Sequence, residues 1–273
     1  MEPDLELQVP GARLRYRESG TGPAVVLIHG WTLDLEMWDP QVADLAGSFR
    51  TIRFDRRGFG LSSGRPSLLD DVADVLALCT HLSVERVCVV GMSQAARVAV
   101  RLARIAPQLV RSFVLHGAPP AVAGEALGGS GGAAGSATSG DVPLAEYRRL
   151  VQEDGVEAFR KAWSRHPLAR LQTSDRAMHE LLSRMIARYR ADDLREIAAS
   201  PSGGWDPAPL ESLHQPALVI AGALDIPTRR AAAQKIARRL PNAELRLVPA
   251  AGHLANLDNP PAYNAALLEF LKR

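Results

Sequence analysis

The stretch Val87-Cys88-Val89-Val90-Gly91-Met92-Ser93-Gln94-Ala95-Ala96-Arg97-Val98-Ala99-Val100 passes from one kind of structure to another at a single serine. Its first four residues are apolar and mostly β-branched, as a strand covered on both faces requires. From Gln94 to Ile105 the apolar residues recur at three- and four-residue spacing, so a helix there lays one face on a sheet. Between them a tight turn must form, and it forces Ser93 into a strained backbone conformation. Positions two before and two after the serine must then be small, and Gly91 and Ala95 are. The turn exposes the hydroxyl at a helix N-terminus, where N–H groups and the helix dipole favour developing negative charge. Ser93 is therefore the candidate nucleophile; the plainer alternative is a serine that only caps a helix.

A serine hydroxyl is a weak nucleophile and needs a base, which in turn needs a partner to hold its tautomer. The sequence offers one good candidate for each. Asp225 follows a strand at Ala217–Ala221, and His253 follows a strand at Ala243–Val248. Both lie beyond carboxyl ends of strands, the edge at which open α/β sheets place their sites. Of the seven histidines, His81, His166, His179 and His214 fall in predicted helices or their ends, and His116 ends a strand with no acid to match. Asp258 is near His253 in sequence but reads as the N-terminal cap of the closing helix. Ile28-His29-Gly30-Trp31 follows the first central strand, where a backbone N–H can face an oxyanion. The N–H groups of Trp31 and Gln94 are the expected oxyanion hole, and His29, Leu33, Met92 and His116 are the candidate pocket residues.

Around these positions the chain alternates strand and helix patterns, the mark of an α/β protein with a mostly parallel sheet flanked by helices. Strands are expected at Ala24–Ile28, Thr51–Phe54 and Val87–Val90, with an antiparallel hairpin of Leu5–Val9 and Arg13–Arg17 turning at Gly11. Helices are expected at Leu68–Leu82, Gln94–Ile105, Thr228–Leu240 and Pro260–Leu271, the second stopped by Pro107. Asp55-Arg56-Arg57-Gly58-Phe59-Gly60 reads as a rigid turn whose charges tie loops together. Residues 1–119 and 210–273 thus form one core domain. Residues 120–209 interrupt it as a helical cap, entered through an Ala-, Gly- and Ser-rich loop at 121–140 that is expected to be mobile. In the cap, Val156, Phe159 and Trp163 share one helical face. Met178, Leu181, Leu182, Met185, Ile186 and Tyr189 make a longer stripe, better read as packing than as a ligand box.

Composition excludes other classes. With 273 residues, 47% hydrophobic, 23% charged and a formal charge of +2, the chain has the balance of a globular domain and no electrostatic case for nucleic acid. Nothing in it reads as a membrane span or a secretory leader, so a cytoplasmic place is expected. Cys79 and Cys88 are expected to be free buried thiols. No metal-ligand spacing is present, and the chemistry proposed needs neither metal nor cofactor. The oligomeric state is left open, a homodimer included.

His29-Gly30, the Asp55–Gly60 turn, Gly91-Met92-Ser93-Gln94-Ala95, Asp225 and Gly252-His253 fall in the order found in the α/β-hydrolase superfamily, which the chain resembles over essentially its whole length. It is similar within that superfamily to small bacterial carboxylesterases, enol-lactonases and cofactor-free haloperoxidases or perhydrolases. The resemblance implies an eight-stranded core, a helical cap and a Ser-His-Asp triad. Ala95 departs from the usual glycine, which leaves the class intact and the subgroup open. Serine at 93, where a carboxylate would stand in haloalkane dehalogenases and epoxide hydrolases, argues against their chemistry. The expected activity is hydrolysis of small carboxylic esters through an acyl-enzyme. The alternatives are a lactonase, a perhydrolase or haloperoxidase, and a non-catalytic small-molecule receptor.

Overall fold

A computed structural model of the chain describes residues 2–123, 142–195 and 209–273. Its elements run β1 (Leu5–Val9), β2 (Ala12–Ser19), β3 (Ala24–Ile28), α1 (Asp39–Leu45), β4 (Arg50–Phe54), α2 (Leu68–His81), β5 (Val87–Met92), α3 (Ala96–Ile105) and β6 (Val110–His116). After β6 come α4 (Leu144–Trp163), α5 (Arg176–Arg188) and α6 (Asp192–Arg195). The chain then closes with β7 (Ala217–Gly222), α7 (Pro227–Arg239), β8 (Ala243–Val248), α8 (Ala255–Asp258) and α9 (Pro260–Leu271). The strands form one eight-stranded sheet in the order β1-β2-β4-β3-β5-β6-β7-β8. β1 and β2 pair antiparallel, as does β2 with β4, and every other neighbour is parallel. This is the α/β-hydrolase arrangement that the sequence led us to expect.

The two faces of the sheet are read off alternate residues. Val25 and Leu27 of β3 face the cluster that also holds Trp38, Leu267 and the apolar residues of α4 and α5. Val26 and Ile28 face the opposite cluster, with Val75 of α2, Val98 and Leu102 of α3, and Ile236 of α7. Alternation along a strand covered on both sides is what makes the run unbroken in hydrophobicity and period two in packing. Ser67 caps α2 by accepting from the Asp70 N–H, and Asp70 and Asp71 occupy its first turn, which complements the helix dipole. Cys79 and Cys88 are free and buried.

Several boundaries differ from the sequence expectation, each for a local reason. α3 begins at Ala96 because Ser93–Ala95 form a 3-10 turn first. α4 reaches back to Leu144, a stretch without a clear apolar stripe, and Gly155 (φ 83°) breaks its helical geometry just before the predicted Val156, Phe159, Trp163 face. The short helices α1 and α8 were not anticipated; seven and four residues are too few to establish a period. Asp258 is no cap: Asn259 takes that role, its side chain accepting from the Ala262 N–H at 3.2 Å. Of the glycine-rich loop expected at 121–140, Ala121–Ala123 belong to a buried 3-10 turn; residues 124–140 lie outside those described. Along α5 the apolar stripe is packing, with Leu181, Leu182, Met185 and Ile186 all buried.

α5 is fastened to the sheet's edge by ion pairs. Arg188 donates to Asp34 at 2.9 Å and to Glu36 at 2.7 Å, and Arg190 donates to the carbonyls of Gly60 and Ser62 at 2.7 and 2.9 Å. Burial and the neighbouring Asp55 push the Asp34 carboxyl up to about 6, against the pull of Arg188. A carboxyl whose pKa is higher folded than unfolded favours folding at low pH and loses that advantage as pH rises through the folded value. The stability of the wild-type protein relative to Asp34→Asn is therefore expected to fall by on the order of 1–3 kcal/mol between about pH 4 and pH 6. Urea denaturation of both proteins across that window checks it; a constant difference would contradict it.

Candidate active site

Carboxyl ends of parallel strands converge on one edge of the sheet, and the residues singled out in the sequence follow them. Ser93 comes directly after β5, Asp225 three residues after β7, and His253 in the loop between β8 and α8. Ser93 has φ 53°, a left-handed conformation that a residue with a Cβ adopts only when its surroundings force it. The crowding behind it is explicit: a Cβ at Gly91 would collide with the carbonyl oxygen of Ala95 and come within 3.0 Å of Ala96 Cα. The alanine at 95 is accommodated, fully buried. Gly91→Ala is accordingly expected to cost about 1–3 kcal/mol by overpacking, read by chemical denaturation.

His253 Nε2 lies 3.0 Å from Ser93 Oγ, and its Nδ1 lies 2.9 Å from Asp225 Oδ2. All three side chains are buried, with the serine at 8% exposure the most open. Burial raises the Asp225 carboxyl, but the facing His253 imidazole, the Ile226 N–H and Arg229 outweigh it, so its pKa ends below the ordinary aspartate value. An ionised Asp225 then accepts a hydrogen bond from Nδ1–H and leaves Nε2 free to accept from the serine hydroxyl. Gly117, at φ 57°, packs flat against the ring: a Cβ there would approach His253 Cε1 to 2.8 Å. The histidine loop is secured by Asp258, whose carboxylate accepts from the N–H of Gly252 at 2.7 Å. The same group accepts from Gln172 and Thr173 N–H, at 2.5 and 3.1 Å, in the segment leading into α5.

A cavity of about 650 Å³ opens above Ser93 and His253. Leu33 and Met92 line it, together with Trp31 and Gln94. His29 and His116 do not; both are fully buried in the fold, where the sequence alone could not tell them from lining residues. His29 Nε2 accepts from the Arg56 N–H at 2.9 Å and its Nδ1 faces the Gly30 carbonyl at 2.7 Å. Burial and then Arg56 push its pKa down to about 3, so it is a neutral strut of the turn after β3. His116 is likewise pushed down to about 3, by burial and then by His253, and its ring packs 5.0 Å from that of Tyr263.

The polar contacts made by the inserted segment were not anticipated. Trp163 Nε1 donates to Thr32 Oγ1 at 2.7 Å, holding the residue after Trp31 in a left-handed conformation (φ 64°). The Trp31 indole donates to Asp193 at 2.7 Å, and Tyr189 donates its hydroxyl to the other oxygen of that carboxylate at 2.5 Å. Burial raises the Asp193 pKa and these two donors pull it back only in part. Asp193 has no motif around it; only the fold brings it to Trp31. On the core side, Arg56 donates to Gln94 Oε1 at 3.0 Å and pairs with Asp71 at 2.6 Å. The Asp55–Gly60 turn thus steadies the residue after the serine, through charges that the sequence had marked as structural.

Strand order, serine turn and the Ser93-His253-Asp225 arrangement define a class, and the chain belongs to it: the family model described as alpha/beta hydrolase fold matches residues 23–260. Among its relatives is a pimeloyl-[acyl-carrier protein] methyl ester esterase of Nitrosomonas europaea, 29% identical over 92% of this chain and 97% of that one. A putative non-heme bromoperoxidase of Mycobacterium tuberculosis is 31% identical, over 94% of this chain and 97% of its own. A solved structure described as an N-acyl homoserine lactone degrading enzyme is 25% identical, with a TM-score of 0.75, covering 97% of this chain and all of that one. Among the described residues no helix is long and apolar enough to cross a membrane. No group of His, Cys, Asp and Glu among them is arranged to hold a metal ion.

Proposed function

We propose that this protein is a serine hydrolase that cleaves small carboxylic esters through an acyl-enzyme, with Ser93 as nucleophile, His253 as general base and Asp225 as its orienting acid. The observation that carries the reading is the unbroken line from Asp225 Oδ2 to His253 Nδ1 at 2.9 Å and from His253 Nε2 to Ser93 Oγ at 3.0 Å, at the base of a cavity. In the first half-reaction Ser93 Oγ bonds to the ester carbonyl carbon as its proton passes to His253 Nε2. The carbonyl oxygen becomes an oxyanion held by the N–H groups of Trp31 and Gln94. Collapse breaks the bond to the alcohol oxygen, which leaves with the proton from His253. Water then gives a proton to the same histidine, attacks the acyl carbon and releases the acid, and Ser93 regains its proton. Residues 120–209 serve as a cap over this site, their helices supplying Trp163 and Asp193 against Trp31.

The relatives' names favour testing a second reading at the same serine. A cyclic ester would be opened by the same attack, and peroxide in place of water would give a peracid. The decisive measurement is intact-protein mass spectrometry after a fluorophosphonate probe. A single adduct on Ser93 in the wild type, lost in His253→Ala, is expected, followed by ester and lactone panels with and without hydrogen peroxide. A folded wild-type protein that takes no adduct would overturn the assignment and favour a receptor.

A further inference from the structure

We propose that two copies of this chain pair through the outer edges of β8, antiparallel and centred on Leu245, so that their two sheets run on as one. β8 is the last strand of the sheet, with β7 on one side. It runs parallel to β7, and the carbonyls of Asn242 and Val248 accept from the N–H groups of Ala217 and Ala223 at 2.9 Å. Bonding groups alternate sides along a strand. Those of Glu244 and Arg246 therefore also face β7, while the N–H and C=O groups of Ala243, Leu245 and Leu247 point away from it. Among the described residues none of these outward groups has a hydrogen-bond partner.

A free edge is a template for another strand, and proteins commonly blunt one with proline, a bulge or charge. β8 has no proline, and its register with β7 is unbroken. Its two charged side chains, Glu244 and Arg246, stand on the α9 face, where Arg246 pairs with Glu269 at 2.9 Å, so they flank the edge without obstructing it. On the opposite face Ala243 and Leu245 pack in part against the cluster that holds Ile236 of α7, and Leu247 is half exposed.

The side chains select a second copy as the occupant, and they select the register. A two-fold contact is self-complementary: where one residue meets another, the reverse meeting also occurs. Centring the pair on Glu244 would set that carboxylate against itself, and centring it on Arg246 would set guanidinium against guanidinium; like charges directly opposite are destabilising. Centring on Leu245 sets Glu244 of each copy opposite Arg246 of the other. It also places Leu245 against Leu245 and the exposed Leu247 against Ala243, large against small, which closes an apolar row on the α7 face. About six backbone hydrogen bonds result, two for each pair of outward residues. Glu244 and Arg246 already pair within one copy at 3.1 Å, so the contact extends an existing alternation of charge. The strands leading to Asp225 and His253 then stand at the middle of a doubled sheet and no longer at its margin.

A strand-edge contact is small, so a dissociation constant on the order of 1–100 μM is expected. Sedimentation velocity of the whole chain from about 1 to 300 μM is expected to pass from monomer to dimer across that range. Leu245→Pro removes an N–H that β7 does not use and is expected to weaken the dimer about tenfold or more. Glu244→Arg and Arg246→Glu are each expected to weaken it about fivefold or more, and the two together to return it to within about threefold of wild type. That recovery separates pairing between copies from support of α9, because the exchange turns the contact of position 246 with Glu269 into one between like charges. A double variant no better than the single ones would overturn the proposal, as would a dimer that Leu245→Pro and both reversals leave unchanged. A monomer at every concentration would overturn it too, leaving the edge to a strand of another protein or to none.

Discussion

Ser93→Ala is expected to lower ester turnover by about 10⁵–10⁶-fold, to a residue of activity that only binding and the oxyanion donors sustain. The hydroxyl it removes is the group that His253 Nε2 contacts at 3.0 Å. The variant should fold, since alanine keeps the Cβ and the backbone at φ 53° already tolerates one. Ser93→Gly should be the more stable of the two by about 1 kcal/mol, because glycine adopts that conformation without strain. Both effects are read together, by turnover of an ester that the wild type cleaves and by thermal denaturation. Substantial turnover in Ser93→Ala would remove the serine from the mechanism.

Asp225→Asn is expected to lower kcat by about 10⁴-fold while leaving the fold intact. The amide is nearly isosteric and can keep the Ile226 N–H contact made at 2.7 Å. What it changes is the histidine. An amide nitrogen facing His253 Nδ1 would donate instead of accept, which places the ring proton on Nε2, where it points at Ser93 and can take nothing from it. The His253 imidazole and the Ile226 N–H hold the Asp225 pKa below the ordinary aspartate value, so the wild-type carboxylate is ionised near neutral pH. Kinetics at several pH values would check the prediction: a variant within about tenfold of wild type near neutral pH would show that Asp225 does not set the tautomer.

The fold was legible because the decisive signals are local. Buried parallel strands read as unbroken apolar runs, and Val87–Val90 leading into Gly91 and Ser93 carries strand, turn and helix in one line of text. That Ser93, His253 and Asp225 would meet was legible because strand ends in this architecture all open on one edge. What the sequence could not show was which side chains meet across the chain. Trp31 touching Asp193, or Trp163 touching Thr32, joins residues separated by more than a hundred positions. His29 and His116 were misplaced for the complementary reason: both follow or end strands at the site's edge, and only packing turns them inward. Asp258 was read from its neighbours in sequence as a cap, whereas its three donors come from Gly252 and from the approach to α5.

That carboxylate ties the segment leading into α5 to the loop that carries His253. Gln172 and Thr173 cannot swing away from the sheet without surrendering two of the three hydrogen bonds that hold Asp258, and Asp258 is what pins the amide next to His253. The position of the Gln172–Thr173 stretch and that of the loop carrying His253 are therefore set by one and the same carboxylate.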